Sequence, residues 1–334
     1  MGQRTSCGVC PVGERGSPRF GENVMRTRQA FTLIELLIVI AIIGILIAAI
    51  AVAVTKAKEF SLRAACGNHM SQLGLAMRTF EADHGAFPVT VDASNPQVPL
   101  RSCFVPLLGY MEQKHLADMF KPTLAWYQAP PMAFGAPIQV LICPATPVLK
   151  GGMVRVETTP ETSSSGKTVY TTQPRACADF APLTGISPGI LTYHPKVEPD
   201  EAQQENGAMA RSPVGLRKAA AIPDGLGNTI FFGEDAGRPD LWENGRPKLG
   251  TAISGAGWAS HRIDFDIHGK DFADPSKGGP CLMNCSNDNE LYSFHSGGCN
   301  FLFGDRSVRF LSSAISAVTL SRAISREGGR PPEW

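Results

Sequence analysis

Residues 31–55 read FTLIELLIVIAIIGILIAAIAVAVT, and this run restricts the fold more than any other stretch. It contains one charged residue, Glu35, one glycine, Gly44, and no proline. A helix needs about 20 apolar residues to cross the hydrocarbon core of a bilayer, so the run is long enough. Beyond Glu35 it is apolar all round, as a lipid-embedded helix should be. Glycine is common in membrane helices.

Three uses of such a run compete. A cleaved signal peptide would end at a small-residue site, such as Ala49-Ile50-Ala51 or Ala51-Val52-Ala53. Its apolar stretch, however, is usually only about 7–15 residues. A plain single-pass anchor is the second use. The third is a segment cut before the apolar run, with the helix kept. Glu35 separates them. A carboxylate costs roughly 2.5–3.5 kcal/mol at the bilayer centre and less near the interface. Neither a signal peptide nor a plain anchor has an evident need for it. A chain cut just before Phe31 would expose an amine able to neutralise it.

Residues Ala30-Phe31-Thr32-Leu33-Ile34-Glu35 closely resemble the type IV prepilin processing motif. The resemblance implies that a membrane prepilin peptidase cuts between Ala30 and Phe31 and methylates the Phe31 amine. It also implies that Glu35 pairs with the terminal amine of a neighbouring pilin-like subunit during assembly. The departure is Ala30, where that family usually has glycine; alanine is still small enough for processing. Met25-Arg26-Thr27-Arg28-Gln29-Ala30 alone makes a compact basic leader, so we expect translation to start at Met25. Residues 1–24 would then be an upstream extension. Cys7-Gly8-Val9-Cys10 lies there, and one CxxC without a second pair is weak evidence for zinc. Arg26 and Arg28 should hold the leader in the cytoplasm and place the body outside the inner membrane, in the periplasm or on a cell-surface filament. Lys56 and Lys58 soften that rule.

The helix should continue past the membrane. Leu62, Cys66, His69, Leu73, Met77 and Phe80 recur at helical spacing and mark one face. His84-Gly85 offers a stop and Pro88 discourages continuation. A helix over 31–83 would extend roughly 80 Å, at about 1.5 Å per residue. His69 reads as an interface residue and His84 as a surface one.

The body over 84–325, with a tail at 326–334, reads as turn-rich and β-rich. Most of the chain's 34 glycines and 26 prolines fall there. Pro106–Phe120 reads as a helix and Ile138–Ile142 as a strand ending at Cys143-Pro144. Residues 145–175 read as a long loop or a loop-linked hairpin, and Pro195–Arg211 as irregular. Ile230-Phe231-Phe232 is strand-like. Asn300–Phe303 and Ser307–Leu311 flank Gly304-Asp305-Arg306 as a β-hairpin. The formal net charge of +1 over 334 residues gives no reason to expect a nucleic-acid partner. Nine cysteines, an odd number, do not fix a disulfide framework, although export would permit one. Cys281, Cys285 and Cys299 are close enough in sequence for one bridge among them.

Several constellations carry possible chemistry. Asp224, Asn228 and Glu234 could form a cation loop, but Asp-Gly and Gly-Asn favour tight turns for local reasons. Asp264, Asp266 and His268 alternate with Ile263, Phe265 and Ile267. One strand face could therefore hold a metal, or simply be solvated. Residues 284–290, NCSNDNE, offer oxygens such as Asp288 for calcium but lack EF-hand spacing. In each case the plain structural reading is favoured, and no cofactor is expected.

His295 is followed by nine residues and then Asp305. This spacing resembles a large bacterial family of prepilin-like proteins of unknown function, whose members end in a His-x9-Asp-Gly motif. Further stretches are similar to that family in the same order. They are Cys66-Gly67-Asn68 with Gln72-Leu73-Gly74-Leu75, Gly85-Ala86-Phe87-Pro88, Tyr110-Met111-Glu112-Gln113 and Ile142-Cys143-Pro144. Asp224-Gly225, Asn228-Thr229-Ile230, Gly233-Glu234 and Ser293-Phe294-His295 follow. The family's last glycine is Arg306 here, which moves the expected turn to a type II′ form with Gly304 first. His295 and Asp305 could form a base and its orienting carboxylate. No nucleophile elbow or zinc-protease helix accompanies them, so a role bracing the hairpin is favoured.

The expected fold is α+β: one long N-terminal helix packed on an antiparallel β-rich body, as in pilin-like proteins. The expected function is that of a non-enzymatic subunit of a type IV pilus-like or type II secretion-like assembly. A membrane-tethered binding protein that does not polymerise, or an exported enzyme centred on His295 and Asp305, are the alternatives.

Overall fold

The computed structural model describes residues 32–91, 95, 97–147, 155–158, 160–162, 169–274 and 278–334. Ala30, Phe31, Met25 and the Cys7/Cys10 pair lie outside them. The chain divides into two compact units at Val54–Thr55. Helix α1 spans Leu33–His84 and contributes to both.

In the first unit, the helix begins with reciprocal hydrogen bonds. Glu35 N donates to Thr32 Oγ1 at 3.3 Å. The Glu35 carboxylate accepts from Thr32 N at 2.9 Å and Thr32 Oγ1 at 2.8 Å. This Thr-x-x-Glu arrangement is a capping box, which satisfies helix-end donors that would otherwise lack partners. From Leu33 to Val54 every side chain is exposed. That segment is about 33 Å long at 1.5 Å per residue, enough to cross a bilayer.

In the second unit, α1 buries Cys66, Met70, Leu73, Gly74, Ala76, Met77 and Phe80, a stripe at helical spacing. Leu62 and His69, expected on that stripe, sit at its margin and are half-buried. His69 Nδ1 donates to the Ile142 carbonyl at 2.7 Å, an interface contact. His84 is exposed and stacks on Phe80 with 4.0 Å between ring centroids.

The central sheet has five strands: β1 (Phe180–Ile186), β2 (Ile230–Glu234), β3 (Phe265–Ile267), β4 (Gly298–Phe303) and β5 (Val308–Ser312). Their order is β3-β1-β2-β4-β5. Every pairing is antiparallel except β3 with β1, which is parallel. The sheet is therefore mixed where an antiparallel one was expected. Strands β1, β2 and β4 are buried at every residue, which explains their continuous apolar runs. Two-residue to seven-residue strand pairs and short helical turns surround the sheet, and a second helix, α2, spans Ala317–Ile324.

Gly74 marks where α1 meets the sheet. A Cβ there would lie 2.8 Å from Leu302 Cδ1 and 3.4 Å from Arg306 Cα. Glycine inside a helix costs roughly 0.8–1 kcal/mol relative to alanine. Its presence here follows from the close approach of helix to strand.

Three expectations need correction. Pro106–Phe120 is not one helix. It breaks into Phe104–Leu107, Leu108–Met111 and Lys114–Ala117 because Glu112 turns left-handed at φ 61°. Ile138–Ile142 is not a strand but a 3-10 turn over Gln139–Leu141. Its buried residues Ile138 and Leu141 are three apart, and its carbonyls go to individual partners, Asp179 N and His69. The hairpin Gly298–Ser312 is present, but its turn is not type II′. Phe303 O accepts from Arg306 N, and Arg306, not Gly304, takes the left-handed conformation, at φ 80°. Gly304 is needed for space instead: a Cβ there would lie 2.5 Å from Phe231 Cε1.

Arg306 therefore occupies a position suited to glycine. A left-handed non-glycine residue costs about 1–2 kcal/mol, while glycine costs roughly 0.5–1 kcal/mol more conformational entropy on folding. Arg306→Gly should raise stability by about 0.5–1 kcal/mol. Urea unfolding of the two proteins, followed by fluorescence, reads the difference. A lower midpoint in the variant would show that Arg306 makes a compensating contact.

Candidate functional site

Four side chains converge in the core of the second unit. Cys66 comes from α1, Cys143 from the segment after the 3-10 turn, Glu234 from the end of β2, and His295 from the loop before β4. All are buried, and their ligating atoms lie within 4.8 Å of one another. Cys66 Sγ donates to Glu234 Oε1 at 2.8 Å. Cys143 Sγ lies 3.3 Å from His295 Nε2, and His295 Nε2 is 3.6 Å from Glu234 Oε1.

A second layer fixes this cluster. The other Glu234 oxygen, Oε2, accepts from Asn300 N at 2.5 Å and Asn300 Nδ2 at 3.3 Å. Cys143 N donates to Asp179 Oδ2 at 2.9 Å. His295 Nδ1 faces Glu59 Oε1 at 3.5 Å, and Ser296 N donates to that same carboxylate at 3.0 Å. Burial, then contact with Cys143 and the Glu234 carboxylate, pushes the Cys66 thiol far above its ordinary range. Burial opposes charge on His295, but contact with Cys143 and the carboxylates of Glu234 and Glu59 outweighs it and raises the imidazole. Two sulfurs, one imidazole nitrogen and one carboxylate oxygen make a donor set of the kind that holds a thiophilic metal.

The structure separates His295 from Asp305. Among the described residues no hydrogen bond or ion pair joins them. Asp305 Oδ1 accepts from Ser307 N at 2.8 Å and Ser307 Oγ at 2.6 Å, which braces the hairpin turn. The weaker candidates also part company. Asp224 accepts from Gly328 N and Gly329 N, each at 2.8 Å, and Asn228 donates to the Asp224 carbonyl, so that segment is a turn tied to the tail. Glu234 belongs to the core cluster instead. Ile263, Phe265 and Ile267 are buried as the alternation predicts. Each of the intervening residues has a protein partner of its own. Asp264 pairs with Arg211, Asp266 accepts from Thr184 Oγ1 at 2.7 Å, and His268 pairs with Glu290. Asp288 is exposed. Cys281 and Cys285 form the disulfide, leaving Cys299 a buried thiol.

Sequence reasoning missed Cys66, Cys143 and Glu234 as partners of His295. The available signal was that each lies in one of the ordered motifs quoted above, Cys66-Gly67-Asn68, Ile142-Cys143-Pro144, Gly233-Glu234 and Ser293-Phe294-His295.

The capped, lipid-length helix α1 and the sheet-centred body it carries define an α+β prepilin-like protein. A model described as the prokaryotic N-terminal methylation motif matches residues 25–51. The chain belongs to the family described as "Protein of unknown function (DUF1559)", whose model matches residues 55–317. No curated protein and no solved structure gave a match.

Proposed function

We propose that the chain is a prepilin-type subunit. In this reading prepilin peptidase cuts it between Ala30 and Phe31, and Phe31 is methylated. The apolar helix stays in the inner membrane, with the body outside the cytoplasm. The mature chain then assembles with other pilin-like subunits into a pilus-like or secretion-type filament.

The observation that carries this reading is the lone carboxylate at the tip of α1. Glu35 completes a capping box with Thr32, but glutamine at that position would complete the same box without charge. A charge kept in a segment where it is costly calls for a cation, and a Phe31 amine supplies one. The body's His295 is 2% exposed, which argues against an enzyme centred on it.

Glu35→Gln separates capping from charge. Mass spectrometry should find methylated Phe31 as the mature terminus of both wild type and variant. Cross-linked oligomers in membranes should fall at least about tenfold in the variant, the effect of roughly 1.4 kcal/mol. A mature terminus near Ala53 would sink the prepilin reading. Oligomers unaffected by Glu35→Gln would favour a tethered protein that does not polymerise.

A further inference from the structure

We propose that Cys66, Cys143, Glu234 and His295 form a structural zinc site inside the body. The proposal is independent of whether the chain polymerises. Zinc binds thiolate sulfur at about 2.3 Å and imidazole or carboxylate at about 2.0–2.2 Å, so tetrahedral ligand atoms stand roughly 3.3–3.8 Å apart. Two separations fall in that range, 3.3 Å for Cys143 Sγ to His295 Nε2 and 3.6 Å for His295 Nε2 to Glu234 Oε1, and one is shorter, 2.8 Å for Cys66 Sγ to Glu234 Oε1; all the ligand atoms lie within 4.8 Å of one another. Zinc would spread the shortest of these by about 0.7 Å.

The surroundings fit the ion as well as the ligands do. A zinc-bound histidine usually gives its other ring N–H to a carboxylate, and His295 Nδ1 faces Glu59. A ligating carboxylate is usually held by its second oxygen, as Asn300 holds Glu234 Oε2. With four protein ligands, all buried, the site has the closed form of a structural centre. Binding balances simply: Zn2+ enters, the Cys66 and Cys143 thiols release two protons to solvent, and His295 binds through Nε2 while keeping the proton on Nδ1, so a protonated His295 releases a third. Nothing is oxidised or reduced. The ion would pin α1 to β2, to the Cys143 segment and to the β4 loop.

A Cys66–Cys143 disulfide is the competing outcome. It would remove the thiol proton that buried Glu234 Oε1 now accepts. The oxygen would keep only His295 Nε2, at 3.6 Å, and losing a buried hydrogen bond is costly, so the geometry favours the metal.

The test uses the full chain, purified in detergent without reductant and without chelator. Elemental analysis should find close to one zinc per chain. Exchange with Co2+ should give thiolate-to-cobalt charge-transfer absorption and tetrahedral ligand-field bands. Cys143→Ser should lose both signals, while Cys177→Ser, a buried thiol outside the cluster, should keep them. Glu59→Gln should keep its fold, because Glu59 is 37% exposed, and should retain zinc about tenfold less well against a chelator. A Cys66–Cys143 disulfide in the purified chain would overturn the proposal. So would a zinc content that Cys143→Ser leaves unchanged. If circular dichroism shows Cys143→Ser unfolded, the Glu59→Gln competition decides, and unchanged retention overturns the site.

Discussion

Replacing Asp179 by alanine should destabilise the body by about 3–5 kcal/mol, the usual cost of stranding one half of a buried ion pair. Asp179 is fully buried, and its Oδ1 meets Arg155 Nη2 at 2.5 Å. Oδ1 also accepts from Gly237 N at 3.0 Å, and Oδ2 accepts from Cys143 N at 2.9 Å. One carboxylate thus ties together the Cys143 segment, the Arg155 segment and the chain after β2. Alanine would leave a guanidinium that is 4% exposed without its counter-charge. Urea unfolding of the full chain in detergent reads the loss. A double variant, Asp179→Ala with Arg155→Met, tells the causes apart, because replacing both members of a buried pair with apolar groups is often close to neutral. Recovery of most of the stability would assign the loss to the stranded charge. No recovery would assign it to the released Cys143 and Gly237 amides. Asp118→Ala, at the exposed Lys114–Asp118 pair, should leave the unfolding curve in place.

The same residue shows why some of this molecule was legible in sequence and some was not. The apolar run, the helical stripe ending at Phe80 and the hairpin around Asp305 are local patterns. Their periods of 3.6 and 2 are fixed by backbone geometry, so a single sequence displays them. The core cluster is not local. Cys66 and Glu234 are 168 positions apart, and Cys143 and His295 are 152 apart. No periodicity links such residues; only the topology of the sheet brings them together. Local pattern also misled where tertiary partners overrode it. Ile138–Ile142 has strand-forming side chains, yet Asp179 and His69 take its carbonyls one by one. The alternation of Ile263–His268 correctly gave a buried face. It could not tell that the other residues would each find a separate partner, Arg211, Thr184 and Glu290. For Gly304, sequence reasoning assumed a left-handed turn residue, when the constraint was the ring of Phe231.

A neutral histidine in the core should make the body lose stability in mild acid. His261 is 7% exposed, and the Trp126 indole N–H donates to its Nδ1 at 3.4 Å. Burial, with help from the Arg211 and Arg262 cations, lowers its pKa from 6.5 to about 4. The unfolded chain therefore takes up a proton below pH 6.5 that the folded chain refuses until about pH 4. The stability this group contributes is complete above pH 6.5, falls as the pH drops, and is lost below about pH 4, by linkage. At about 1.36 kcal/mol per pKa unit, the full loss is about 3 kcal/mol. Three buried carboxylates act in the opposite sense. Burial raises Asp235, Asp264 and Glu290, so each binds its proton more readily in the folded chain and adds stability as the pH falls. The wild-type profile alone therefore mixes the effects, and a variant is needed to isolate His261. His261→Gln keeps an oxygen acceptor for the Trp126 indole and cannot take up a proton. Urea unfolding between pH 7 and pH 4 should show wild type losing about 3 kcal/mol more than the variant across that interval. Equal losses in the two proteins would mean that His261 takes up its proton alike in the folded and the unfolded chain.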